Sequence, residues 1–358
     1  MKHFFWFNCL FMFVFVLNAQ DKEGAEKLVS EGIKYHDRGK YEDALELYEK
    51  ALKLDSHNLY ALAEKSMTLL SIKEYKKSIE AGEKAIEKHP GNTELKYVYV
   101  TIGNAYYALK ESQKSIDLYN QGIKLAPDFY QLHFNKGITL SGQKEHDDAL
   151  KCFERSVTCN PKHPGSHNAI ARTLEVQNKK IPALLAYVRF MIVEPTSGRA
   201  AQNFQRIRVL MEGGATKTDK NKINITINAS SLGDTLPDGS NADNNFTTQE
   251  LILALSGALS MSDGKKKKKP KSEVETFISN FGSLCSSLEE SRTKNRGFYW
   301  EFYADYFIAL HNKKLTETLG YIVYAKSGDE KVSDWIKKNE KKINDFFEWS
   351  AGYEWPKF

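Results

Sequence analysis

Residues 130–163 read YQLHFNKGITLSGQKEHDDALKCFERSVTCNPKH, and the chain repeats this pattern. A dipeptide ending in proline punctuates it at His89-Pro90, Ala126-Pro127, Asn160-Pro161 and Glu194-Pro195, with the prolines 37, 34 and 34 residues apart. Stepping back 34 residues from Pro90 reaches Ser56 in LKLDSHN, a segment of the same turn character. Five units follow, starting near Ala25, Leu59, Lys96, Tyr130 and Pro164; three extra residues, Thr93 to Leu95, precede the third. A fixed period of this length predicts units that each cover a neighbour's apolar face.

Within a unit the eighth position is small (Gly32, Ser66, Gly103, Gly137, Ala171), and so is the twentieth (Ala44, Ser78, Ser115, Ala149, Ala183). The eleventh is large (Tyr35, Leu69, Tyr106, Leu140, Leu174), and the twenty-fourth is Tyr48, Tyr119, Phe153 or Tyr187, with Gly82 the departure. The twenty-seventh is Ala51, Ala85, Gly122 or Ser156, with Phe190 the departure. Spacings of three and four put each set on one helical face, so small residues meet aromatic ones across a helical hairpin.

This pattern resembles the tetratricopeptide repeat over residues 25–197, about half the chain. The resemblance implies an all-α fold, a right-handed superhelix of about five helix-turn-helix repeats plus a capping helix. Arg199 to Met211, with Phe204, Ile207 and Leu210 on one side, reads as that solvating cap, ended by Gly213-Gly214. In the family, positions 2, 5, 9 and 12 line a concave groove that binds protein segments. Carried over with the neighbouring Asn135, this marks Tyr60, Met67, Tyr97, Asn104, Tyr107, Phe134, Asn135, Asn168 and Arg172 as partner-binding residues. Aromatics would supply contact area, and amides would pair with main chain. The other reading of these aromatics is that they pack on one another or on the C-terminal region. Family members that grip a chaperone's terminal carboxylate use two asparagines with lysine and arginine. Asn104 and Asn135 match the asparagines, but Val100, Gly165 and Ala169 stand where the cations belong. An unpaired carboxylate would be desolvated there, so that use is not expected.

The composition narrows the class. The 358 residues carry 51 Lys+Arg against 46 Asp+Glu, a net charge of +5, and residues 21–195 hold 26 basic and 25 acidic residues. That balance points to neither a nucleic acid nor a membrane surface as partner. Lys2 and His3, then the apolar run Phe4 to Leu17, then Ala19 before Asp21, have the anatomy of a secretory signal. It occupies residues 1–20, with cleavage near Ala19/Gln20, and the alternative is an uncleaved anchor. No later run approaches the roughly 20 apolar residues of a membrane span, so the mature chain is expected to be exported, periplasmic or secreted, without an integral span. The layout loosely resembles exported repeat proteins of Bacteroidota-type bacteria, whose signals often end in Ala-Gln. Removal of the signal leaves Cys152, Cys159 and Cys285, which read as small buried hydrophobes.

The repeat region, 21–213, gives way to a polar linker, 214–246. Ile223, Ile225 and Ile227 alternate with polar residues there, predicting a strand over 222–228 without an evident partner strand. It pairs either with another chain or not at all. Asn224, Asn228 and Asn245 head sequons relevant only to a eukaryotic secretory route. Thr247 and Glu250 suit a capping box before a helix from Leu251 to Met261, and Lys265–Lys269 follow as a solvated run or a contact for acidic lipid or a partner. Residues 247–358 form a C-terminal helical domain; from Gly297 onward, 16 of 62 residues are aromatic. Three helices are legible there: Phe298 to Leu310, Leu315 to Ala325, and Val332 to Phe347.

Candidate chemistry is absent from the motifs: no phosphate loop, no cysteine pair at metal spacing, no HExxH. His163 and His167 are four apart but flank Pro164-Gly165 at a turn, which argues against a metal pair. No cofactor is expected. The sequence therefore predicts a non-catalytic interaction adaptor of the cell envelope with a protein or peptide partner. The alternatives are a self-associating scaffold and an enzyme with its site in the C-terminal domain.

Overall fold

In a computed structural model, residues 22–219, 222–226, 243–261 and 271–358 are described. The N-terminal apolar segment, Ile227, Asn228, most of the linker and Lys265–Lys269 lie outside them. The chain divides into two compact units, one ending at Cys152 and one running from Phe153 to Phe358. Packing therefore divides within the fourth repeat, whereas the change in composition comes at 214.

The first unit holds α1 (22–37), α2 (Tyr41–Leu54), α3 (Leu59–Ser71), α4 (Tyr75–Lys88), α5 (Leu95–Ala108), α6 (Ser112–Leu125) and α7 (Tyr130–Gly142), and α8 (His146–Cys159) begins there. The repeat logic is visible atom by atom. A Cβ on Gly32 would stand 2.5 Å from the Tyr48 ring, and one on Gly103 would collide with Tyr119, so the eighth position is small because the twenty-fourth is aromatic. The departure at Gly82 is compensated: Ile102 of α5 fills the space the missing ring leaves. Ser66 and Ser78 lock α3 to α4, each hydroxyl donating to the other residue's carbonyl at 2.8 Å. The first helices of successive hairpins, α3 with α5 and α5 with α7, pack on one another.

Each hairpin turns through one residue at positive φ: Gly39, Lys73, Lys110, Lys144 and, in the second unit, Asn178. The turn is closed by two main-chain bonds, as where Lys110 N–H donates to Tyr107 O and Glu111 N–H to Tyr106 O. The same pair recurs near the C-terminus, from Lys314 to His311 and Leu315 to Leu310, again with positive φ at Lys314. The first of the predicted C-terminal helices thus belongs to a hairpin with the repeats' own turn.

The second unit holds the end of α8, then α9 (Pro164–Val176), α10 (Lys180–Val193), α11 (Gly198–Met211), β1 (Ala215–Asp219), β2 (Lys222–Ile225), α12 (Thr247–Met261) and α13 (Glu273–Ser291). A π-helical turn, Tyr299–Ala304, runs into α14 (Asp305–Asn312), followed by α15 (Thr316–Val323), α16 (Glu330–Lys338) and α17 (Glu340–Ala351). Helix α10 is buried from Ile181 to Ile192 because α9, α11, α15 and the π-helical turn surround it.

Three expectations are corrected. The strand does have a partner: β2 pairs antiparallel with β1 immediately upstream, Ala215 opposite Ile225 and Lys217 opposite Ile223. The polar stretch ATKTD carries no apolar alternation to announce it. Helix α11 is not a solvating cap, since α10, α12 and α13 all pack on it and Phe204 meets Tyr324 edge-on at 4.8 Å. The third C-terminal helix is two, α16 and α17, broken at Asn339. Helix α13 adds an element, with a Ser272–Glu275 capping box at its start.

Candidate functional site

The nine predicted partner-binding residues lie on first helices of the hairpins: seven on α3, α5 and α7 in the first unit, and Asn168 and Arg172 on α9 in the second. Tyr60 is 57% exposed, Tyr97 50% and Met67 37%, although α3 and α5 are otherwise well packed. Tyr60 and Tyr97 occupy the same repeat position on helices in mutual contact. The Tyr97 ring meets Phe129 edge-on at 5.0 Å, and the Lys96 ammonium lies 5.0 Å from Tyr97 and 5.6 Å from Phe129. Phe129 and Lys96 extend this aromatic spot beyond the predicted set, which the repeat positions alone would not include.

Asn104, Tyr107, Phe134 and Asn135 are half-buried. The Asn104 amide oxygen accepts from the Tyr119 hydroxyl at 2.6 Å, so it is already engaged and presents its N–H₂ group. Burial raises the pKa of Tyr119 to about 12, which keeps this hydroxyl a donor. Tyr187, the equivalent tyrosine in the second unit, donates instead to Glu175 at the twelfth repeat position, at 2.8 Å, and Arg206 pairs with the other Glu175 oxygen at 3.2 Å. In that unit Arg172 is exposed, and the buried Oδ1 of Asn168 has no hydrogen-bond partner among the described residues.

Tyr48, the equivalent tyrosine in the first hairpin, finds no such acceptor, because Ile33 holds the place that Asn104 takes in the third. The half-buried Glu64 beside it has one oxygen without a hydrogen-bond partner, and burial, with Asp37 nearby, raises its pKa. Sequence reasoning passed over Glu64, yet it holds the sixth repeat position, the one Asn135 holds in the fourth unit. That equivalence is the signal that could have found it.

In the second unit a polar cluster joins His167, Arg189, Tyr303, Tyr306 and Ser350. His167 donates to Pro161 O at 2.9 Å and bonds Tyr303 at 2.8 Å; Arg189 donates to Tyr306 and Ser350 at 3.1 and 2.9 Å. All five are at most 5% exposed, so the cluster is packing that no substrate reaches in the folded state. His163, the other histidine of the spaced pair, caps α9 by accepting from Ser166 N–H. No described helix is long and apolar enough to cross a membrane.

Residues 25–58, 97–129 and 130–163 match family models of the tetratricopeptide repeat. The chain is similar to the Protein STIP1 homolog of Dictyostelium discoideum, 26% identical over 161 residues that cover 37% of this chain and 28% of that one. It is also similar to the Small glutamine-rich tetratricopeptide repeat-containing protein of Dictyostelium discoideum, 33% identical over 104 residues, covering 29% and 30%. The matches thus span less than a third of either relative's length. Among solved structures, Pseudomonas aeruginosa pilF is 20% identical, covers 54% of this chain and 90% of its own, and superposes with a TM-score of 0.45. The chain therefore contains tetratricopeptide repeats at 25–58, 97–129 and 130–163, modules suited to protein–protein contact.

Proposed function

We propose that the chain is a non-catalytic adaptor whose α3, α5 and α7 hold a segment of another protein. The observation that carries this reading is the exposure of Tyr60, Met67 and Tyr97 on neighbouring first helices. Exposed aromatic side chains are rigid, large in area and characteristic of contact hot spots. Around them Asn104 and Asn135 offer amide groups for the main chain of an extended or helical guest. Buried hydroxyls such as Tyr119 brace the platform from below. The run Phe4 to Leu17 supports export, which would make the partner an envelope or secreted protein.

The test is affinity capture with the full chain and with Tyr60→Ala combined with Tyr97→Ala. Each truncation should cost the partner about 1–2 kcal/mol, or roughly 30- to 1,000-fold in affinity for the pair. Equal capture by both proteins would overturn the assignment of this face. N-terminal sequencing of the chain isolated from cells checks export, with a start near Gln20 or Asp21 expected.

A further inference from the structure

Helix α3 sets a charge in the middle of its exposed apolar stripe. Tyr60, Glu64 and Met67 follow at spacings of four and three, so they share one face of the helix. Tyr60 and Met67 are exposed, and Glu64 between them is half-buried. Its Oε2 is buried without a hydrogen-bond partner among the described residues. The charge acting on it is a second carboxylate, Asp37 at the end of α1. Lys65, next to it in the chain, is taken by Glu49 at 3.2 Å. Burial of a carboxylate beside a like charge is costly, and the two together raise the pKa of Glu64.

Tyr48 gives a second and independent sign. Its ring is fully buried against Gly32, and its hydroxyl, close to Glu64, bonds no described residue. Thr68, also close to that hydroxyl, is bonded to His36 at 2.7 Å. A buried hydroxyl and a buried carboxylate oxygen thus stand together with unused lone pairs. Two acceptors without a donor call for a cationic donor. Among the described residues no three metal-ligating side chains converge. The apolar groups of Tyr60 and Met67 on either side favour a carbon chain that ends in a charge.

We infer that Glu64 seats a lysine or arginine side chain of the segment held by α3 and α5. This rests on the groove reading above and sharpens it to a basic guest. The stem of such a side chain lies along Tyr60 and Met67 while its head meets the carboxylate, so apolar and charged parts are both matched. Glu64 thereby sets specificity: an apolar or acidic guest residue at this place desolvates the carboxylate without compensation.

A library of random peptides displayed on phage and selected on the full chain tests this. Selected peptides should share a lysine or arginine at one fixed position. A synthetic copy with that residue changed to methionine should bind at least about tenfold more weakly. On Glu64→Gln the two copies should bind alike, and on Tyr48→Phe their difference should narrow. Glu64→Gln removes an uncompensated charge, so its melting temperature should not fall, which separates lost recognition from a lost fold. Peptides that need Tyr60 and Tyr97 but share no basic residue would overturn the inference and leave the groove reading standing, as would a basic preference that persists in Glu64→Gln. Selection of no peptide that depends on Tyr60 and Tyr97 would overturn both.

Discussion

The guanidinium of Arg189 lies 4.8 Å from the ring centre of Tyr306 and donates to that residue's hydroxyl at 3.1 Å. Trp355 stands at 4.8 Å as well, and among the described residues the groups that interact with this buried cation are tyrosines, not carboxylates. Its charge is stabilised only by aromatic faces, two hydroxyls and a carbonyl, and burial lowers its pKa. Replacing it by an apolar chain of similar length strands little, because Tyr306 and Ser350 already bond each other at 2.8 Å and Pro161 O keeps His167. Arg189→Met should therefore change stability by no more than about 1 kcal/mol, and Arg189→Ala should cost about 2–4 kcal/mol through the cavity it leaves. Urea unfolding followed by tryptophan emission checks both, since four of the five tryptophans lie at 300–355.

His167 gives the second unit a pH dependence. Burial, then the neighbouring Arg189, lowers its pKa from the ordinary 6.5 to about 3. The unfolded imidazole takes up a proton below about pH 6.5 and the folded one does not, so this contribution is complete above that pH and is lost as pH falls. Stability should decline by about 1 kcal/mol per pH unit between pH 6 and 4. His167→Asn should flatten that slope in melting curves recorded across the range.

Gly103→Ala tests the repeat packing in the first unit. The new methyl collides with the Tyr119 ring, which is fully buried and bonded to Asn104. A loss of about 1–3 kcal/mol is expected. Gly39→Ala, in open space but at positive φ, should cost only about 1 kcal/mol. Circular dichroism melts of the two variants give the comparison.

Cys285 is fully buried, and burial raises the pKa of its thiol and that of Cys152. Neither should react readily as thiolate. Iodoacetamide at pH 8 should leave Cys285 unmodified in the native chain and label it fully in urea, as read by mass spectrometry.

The helix pairs were legible because period, small residues and aromatic residues all report the same packing. The turns were less so. Lys73, Lys110 and Lys144 adopt a backbone conformation that glycine would have announced, and only Gly39 does. Helix α13 carries its own signals, Ser272 with Glu275 and the stripe Val274, Phe277, Phe281, Leu284 and Leu288. The aromatic stripes after it are denser and overshadow those signals in the sequence. Nothing in α10 singled out Arg189, because a helix covered on every side shows no face in its sequence. Glu64 and Tyr48 escaped because their importance lies in the hydrogen bonds they lack, which depend on Ile33 and on neighbouring helices.

The most direct measurement of the adaptor account is site-specific photocrosslinking in cells, with benzoylphenylalanine placed at Tyr97, at Met67 and, as control, at Lys114 on α6. Tyr97 and Met67 are exposed on first helices, and Lys114 is exposed on a second helix. The account predicts one shared adduct from positions 97 and 67 and none of that mass from 114. A partner captured from 114, with nothing from 97 or 67, would contradict it.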